Sequence, residues 1–189
     1  MAGCIFLDRD GTINELAPPH HHITTRQTFR FLPGTLDALA FLNKNSGRKI
    51  AIVTNQSCIE RGTATPGQIK AMHAWMKSTI ATAGGRVDGI YVCPHTPEQL
   101  CLCRKPQPGL LFRAEAALGI DLSRSCLVGD DPTDIQAAWA AGIPECYVVL
   151  TGRPLHGFPP TTDARTYAIY GSLHDAARAI VAQERTSHA

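Results

Sequence analysis

The sequence has no apolar run approaching the ~18 residues that a membrane-crossing helix needs, which excludes a helical span. It has no lopsided charge either. Lys and Arg number 18 against 16 Asp and Glu, a formal net charge of +2, so no broad basic field is offered to nucleic acid or an anionic membrane. Aromatic residues are few, 6% of the chain, and are not interleaved with basic ones as a base-stacking groove demands. No segment repeats, which excludes a solenoid. No basic stretch followed by a long apolar one opens the chain, so no export leader is expected and a reducing cytosol is the expected compartment. Seven cysteines in that compartment point to metal or catalysis before disulfides, and their odd number agrees.

What is present is an alternation. Apolar, β-rich runs at 4–7, 49–54, 89–93, 125–129 and 146–150, with a shorter one near 167–169, are separated by helical patterns. The helices are expected at 34–45, 66–83, 108–118, 132–141 and 173–184. Pro66 and Pro132 suit first helical turns, and Gly119 and Gly142 suit helix ends. The Pro- and Gly-rich stretch 152–162 reads as a loop, and the last residues, 186–189, as a frayed end. Strands that are apolar throughout, alternating with helices, imply a Rossmann-like α/β sandwich of three layers with a central parallel sheet. With 189 residues, 44% of them hydrophobic, a single domain spanning 1–189 with a substantial core is expected.

In such sheets the ligand sits beyond the carboxyl ends of the strands. Three polar clusters fall there. Asp8 and Asp10 follow the first strand in CIFLDRDGT, Thr54 and Asn55 end the second, and Asp130 and Asp131 follow the fourth in LVGDDPTD. Carboxylates brought to one point repel one another unless a cation neutralises them. Asp8, Asp10 and Asp130 offer only oxygen, which suits a hard ion such as Mg²⁺ better than zinc. Thr54 adds a hydroxyl donor and Lys105 a cation for phosphate oxygens. Gly11-Thr12 lets backbone N–H groups come close to the same oxygens. The set reads as phosphoryl transfer, with a carboxylate nucleophile, a metal and donors around the transferred group.

These residues carry a resemblance. DRDGT (8–12), TNQS (54–57), CRKP (103–106) and GDDPTD (129–134) are similar, in content and order, to the motifs of the haloacid dehalogenase (HAD) superfamily of phosphatases. The resemblance implies the HAD fold. It implies Asp8 as the nucleophile that becomes an aspartyl-phosphate, and Asp10 as general acid and base whose backbone carbonyl also reaches Mg²⁺. Thr54, Asn55 and Lys105 would hold phosphate and substrate, and Asp8, Asp10 and Asp130 would hold the metal. Many members carry a lysine where this chain has Asp131; the Pro that follows makes Asp131 a helix N-cap. Asp134 either orients a metal-bound water or answers the positive end of that helix.

CPHTPEQLCLC, residues 93–103, points to a second metal. Cys93, His95, Cys101 and Cys103 supply three soft thiolates and an imidazole, the donor set of a closed tetrahedral zinc site. With no open position, that zinc is structural. The loop runs straight into Arg104 and Lys105, so its shape should fix where those cations point. Arg104 is a candidate for a second anionic group of the substrate. Cys4, Cys58, Cys126 and Cys146 are scattered and read as core or loop residues. His20, His21 and His22 lack ligand spacing and read as a solvated loop near the mouth of the site. Trp75 reads as helix packing.

Neither segment that could hold a cap domain, 10–33 or 54–89, has room for a large one. A capless HAD chain with this zinc loop resembles two phosphatase families, one acting on D-glycero-D-manno-heptose 1,7-bisphosphate at the 7-phosphate, the other on histidinol phosphate. TNQSCIERG (54–62) resembles the heptose family, with Cys58 in place of a glycine and Arg61 a candidate for the sugar or its other phosphate. The expectation is a Mg²⁺-dependent heptose bisphosphate phosphatase, cytoplasmic and monomeric, with no nucleic-acid or membrane partner. Histidinol phosphate is the nearest alternative substrate. A polynucleotide 3′-phosphatase fits the charge poorly. A non-catalytic, zinc-stapled interaction module would not be expected to keep an intact acid cluster.

Overall fold

Residues of the first strand alternate between two separate cores. Ile5 and Leu7 pack into one, Cys4 and Phe6 into the other, and all four are fully buried. A strand covered on both faces has no position for a polar side chain, which is why CIFL is apolar throughout. The computed structural model describes residues 1–17, 22–162 and 164–186. Its elements are β1 (Cys4–Leu7), α1 (Thr35–Asn45), β2 (Lys49–Asn55), α2 (Pro66–Thr82), β3 (Gly89–Cys93), α3 (Gly109–Leu118), β4 (Cys126–Gly129), α4 (Pro132–Ala140), β5 (Glu145–Val149), β6 (Ala168–Tyr170) and α5 (Leu173–Thr186). The strands form one sheet in the order β3-β2-β1-β4-β5-β6, every neighbouring pair parallel.

Helices cover both faces. Leu39 and Leu42 of α1, Met76 and Ile80 of α2, and Ile180 of α5 pack on Ile5, Ile52 and Val128. Leu110 and Leu111 of α3 and Ile135 of α4 pack on Phe6, Val53 and Leu127. Each fully buried side chain of this kind contributes ~1.5–3 kcal/mol. Trp75 is part of the first layer, edge-on to Phe29 at 5.5 Å, so it is a packing residue. Cys4, Cys58, Cys126 and Cys146 are buried among core residues, as expected of small apolar groups.

Element ends follow local chemistry. The first helix begins one residue later than its pattern suggests, because Gly34 takes a left-handed conformation, φ 74°, that cannot continue a helix. Ser125 lies outside β4, and its hydroxyl accepts from the Cys4 backbone N–H at 2.9 Å, replacing a ladder bond. Asp131 caps α4, accepting from the Thr133 N–H at 2.9 Å, while Asp134 accepts from the Asp131 N–H at 3.1 Å.

The strand order decides where a ligand can go. The chain moves outward from β1 through β2 to β3, returns to β4 on the other side of β1, and moves outward again. The order reverses between β1 and β4, so a crevice opens at their carboxyl ends. Asp8 and Asp130 are the first residues beyond those two strands.

Candidate active site

A cavity of about 640 Å³ opens at that crevice, and Asp8, Asp10, Thr54, Lys105 and Asp130 all line it. This is an ordinary volume for a small-molecule site. Lys105 is its organising cation. The side chain is buried, and Nζ donates to Asp8 Oδ1 at 2.7 Å, to Asp134 Oδ1 at 2.5 Å and to the Val53 carbonyl at 3.0 Å. Its backbone is clamped by Asn55, whose Oδ1 accepts from Lys105 N at 3.1 Å and whose Nδ2 donates to Lys105 O at 3.2 Å. Burial favours the neutral amine, but Asp134 and Asp8 outweigh it and hold Lys105 protonated above its ordinary value.

Three carboxylates, Asp8, Asp130 and Asp134, face this one lysine, with ligand oxygens within 4.8 Å of one another. Negative charge is in excess. Burial first, and then Asp8 and Asp134, push Asp130 up to about 9. Burial, with Asp8 opposing Lys105, pushes Asp134 up to about 7, and burial also raises Asp8. Among the described residues Asp130 Oδ1 is buried with no hydrogen-bond partner, an oxygen placed to meet a cation. Oxygen donors with surplus charge fit Mg²⁺, and Asp8 and Asp130 could hold it.

Glycines make the cradle tight. A Cβ on Gly11, at φ +86°, would lie 2.2 Å from Asp130 Oδ2, and one on Gly152 only 1.9 Å from it. The buried carboxyl therefore rests directly on two stretches of backbone, and the Arg153 N–H donates to it at 3.1 Å. The glycine of DRDGT allows this close approach as well as the turn.

Asp10 is held differently. Arg9 Nη2 donates to both of its oxygens at 2.7 Å, Asn14 Nδ2 to Oδ1 at 2.8 Å and Gln56 Nε2 to Oδ2 at 2.8 Å. Burial raises Asp10, but Arg9 and these donors outweigh it and keep the carboxyl below its ordinary value. Gln56 also donates to the Thr54 hydroxyl at 2.8 Å, tying the second strand's end to the first's.

At the cavity's rim lies a second cluster. Cys103 Sγ is 3.3 Å from both Cys93 Sγ and His95 Nδ1, Cys93 Sγ is 3.7 Å from Cys101 Sγ and His95 Nδ1, and Cys101 and Cys103 are 3.5 Å apart. Zinc bonds of ~2.3 Å to sulfur and ~2.0 Å to nitrogen give tetrahedral edges of about 3.5–3.8 Å. The four ligand atoms already stand close to that spacing. Burial opposes ionisation of Cys101, but hydrogen bonds from the backbone N–H groups of Cys103 and Arg104 help bring it down to about 6, ready to ligate as a thiolate.

Comparison with known proteins decides the family. The family model described as HAD-hydrolase-like matches residues 102–176. The D-glycero-beta-D-manno-heptose-1,7-bisphosphate 7-phosphatase of Escherichia coli (strain K12) is 39% identical over 96% of this chain and 95% of its own length. Its Salmonella typhi counterpart is 40% identical, covering 96% of each chain. The crystal structure of D,D-heptose 1,7-bisphosphate phosphatase from B. bronchiseptica, in complex with magnesium and phosphate, superposes with a TM-score of 0.85 at 31% identity, covering 96% of this chain and 99% of that one. The chain belongs to the HAD phosphatases.

Within this HAD phosphatase, most of the residues singled out from sequence converge. Asp8, Asp10, Thr54, Asn55, Arg104, Lys105 and Asp130 line one cavity. Arg104 Nη1 donates to the His95 carbonyl at 2.9 Å, so the cysteine-rich loop does aim that cation. Arg61 is exposed and is not among the lining residues. His22 lines the mouth, while His20 and His21 lie outside the described residues. Three pairings were not read from the sequence. Asp134 pairs with Lys105, Gln56 holds Asp10, and Arg153 pairs with Asp131 at 2.9 Å at the cavity wall. Gln56 lies inside TNQS (54–57); nothing in the local sequence marks the other two pairings.

Proposed function

We propose that this phosphatase removes the 7-phosphate of D-glycero-D-manno-heptose 1,7-bisphosphate. The observation that carries the reading is 39–40% identity, over nearly the whole chain, with enzymes of that activity. The converging acids speak against a non-catalytic module. Asp8 is the nucleophile. Its carboxylate oxygen attacks the phosphorus, the bond from phosphorus to the sugar oxygen breaks, and Asp8 becomes an aspartyl-phosphate. Asp10 gives the departing oxygen its proton. A water then attacks the same phosphorus, Asp10 takes the water's proton, and the bond to Asp8 breaks to free inorganic phosphate. The arriving phosphate's negative charge raises the proton affinity of Asp10, whose donors hold it ionised in the free enzyme.

Lys105 and Thr54 hold the transferred group, with Asn55 fixing the Lys105 backbone. Arg104, with Arg61 at the periphery, serves the sugar and its other phosphate. Asp8, Asp130 and the Asp10 carbonyl hold Mg²⁺, which supplies the positive charge that the carboxylates and phosphate oxygens require. Cys93, His95, Cys101 and Cys103 hold a structural Zn²⁺. The chain acts as one HAD-like domain without a cap, its loops selecting the substrate, as a monomer in a reducing cytosol. Among the described residues no helix is long and apolar enough to cross a membrane. The test is phosphate release, with Mg²⁺, from both anomers of heptose 1,7-bisphosphate, histidinol phosphate and a 3′-phosphorylated oligonucleotide. The highest kcat/KM should fall on a heptose bisphosphate; a preference for either other substrate refutes the assignment.

Two expected results concern the metal. Gly152→Ala puts a methyl group where Asp130 Oδ2 lies, so the carboxyl must move. Half-saturating Mg²⁺ should rise about 10–100-fold, the range for a disturbed ligand support, with the fold retained by circular dichroism. The second is pH-dependent. Asp130 is raised to about 9 and Asp134 to about 7, so the folded chain keeps protons that the unfolded chain releases near the ordinary carboxylate value of 3.8. Folding takes up protons, and the metal-free protein loses stability as pH rises from about 4 through about 9. Mg²⁺ offsets the exposed charge, so its increment in Tm should be larger near pH 8 than near pH 5. An equal increment at both would show that these carboxyls do not bind it.

A further inference from the structure

Arg9 stands between the two acids of the DRD motif, and the mechanism gives it no task beyond neighbouring them. Its side chain is fully buried. The guanidinium is pinned at three places. Nη2 meets the Asp10 carboxylate and donates to the Ile23 carbonyl at 3.0 Å, and Nη1 lies 3.0 Å from Nε2 of His73, on α2. A guanidinium has only donors and stays charged in proteins. The contact therefore fixes the histidine's tautomer. Nε2 accepts, the ring proton sits on Nδ1, and the ring is neutral. His73 itself is 5% exposed. Burial first, and then Arg9, hold its pKa down at about 4, so the acceptor persists wherever the enzyme works.

The chain of contacts has a direction. His73 and Ile23 set the plane of the guanidinium, and that plane meets Asp10 through both carboxylate oxygens. Asp10 is 27% exposed and faces the cavity. We propose that His73 is a positioning residue for the reaction, fixing Arg9 and through it the aim of the Asp10 carboxyl toward the leaving oxygen. The inference rests on Asp10 being the general acid. Asn14 and Gln56 hold Asp10 from its other flank, so loss of His73 should loosen the carboxyl rather than release it.

The leaving group separates positioning from mere structure. A sugar phosphate expels an alkoxide and needs the proton from Asp10. p-Nitrophenyl phosphate expels a stabilised phenolate and does not. kcat/KM reports events up to the transfer to Asp8, so it senses this proton only for the alkyl ester. With Mg²⁺ present, His73→Leu should lower kcat/KM for heptose 1,7-bisphosphate by about tenfold or more, and for p-nitrophenyl phosphate by less than about threefold. His73→Gln, which keeps an acceptor oxygen, should recover most of the loss. Where His73→Leu does not fold, His73→Asn, whose shorter amide stops short of Arg9, supplies the same comparison. An equal fall on both esters, or no fall on either, overturns the inference. Wild-type protein that hydrolyses neither ester overturns the phosphatase reading and this inference with it.

Discussion

Asp8→Asn should lower turnover by about 10⁴-fold or more, about 5.4 kcal/mol of barrier, while the protein stays folded. The size follows from chemistry. An amide oxygen is too poor a nucleophile to form an acyl-phosphate, so the first bond-making step has no substitute in the site. That the fold survives follows from charge. Asp8 is one of three carboxylates sharing one lysine, and its charge is raised in cost by burial. Asparagine keeps an oxygen to accept from Lys105 Nζ and removes a repulsion with Asp130. Lys105 keeps its ion pair with Asp134 and its bond to the Val53 carbonyl. The Tm should therefore stay within a few degrees of wild type or rise. Phosphate release within about tenfold of wild type would remove Asp8 from the nucleophile's role.

Cys101→Ser should empty the zinc site and act on binding more than on chemistry. Structural zinc sites of this kind carry apparent binding free energies of ~10–16 kcal/mol, and hydroxyl is a far poorer ligand for zinc than thiolate. Elemental analysis should fall from about one zinc per chain toward none. The kinetic consequence is selective because the two cations next to the loop are anchored differently. Arg104 depends on the loop, through the His95 carbonyl. Lys105 does not; Asp8, Asp134, Val53 and Asn55 hold it from the sheet and from α4. KM for a bisphosphate substrate should rise about tenfold, one lost charged contact, while kcat changes by less than about threefold. A collapse of kcat with KM unchanged would show that the zinc loop positions Lys105 instead.

Much of this site was legible because its signals are local. Asp8 and Asp10 stand two residues apart at a strand's end, and a strand that is apolar on both faces announces a parallel sheet whose carboxyl ends meet. Thr54 and Asp130 fall at equivalent ends, so topology alone brings them to Asp8. The four candidate ligands of the second cluster lie within residues 93–103, and the structure brings their donor atoms within 4.8 Å of one another. Asp131 before Pro132 read directly as a cap, and it is one.

Other features were not legible, for equally physical reasons. Asn55 reads as a substrate contact by its place beside Thr54, yet both ends of its amide bond the Lys105 backbone, fifty residues away in sequence. Arg61 reads as a substrate contact by motif; the structure places it exposed on the loop after β2, outside the residues that line the cavity, a position the motif does not give.

By itself the sequence determined the layering, the order of the motifs and the chemical class of the site. Each depends on periodicity or on donors close together along the chain. Only the tertiary structure decided that Asp134 is the lysine's second partner, that Gly152 lies beneath Asp130, and that a neutral His73 backs the arginine beside Asp10. Those pairings join distant segments, and which side chains meet is set by how helices and loops pack on the sheet, at distances of a few ångströms that no spacing along the chain encodes.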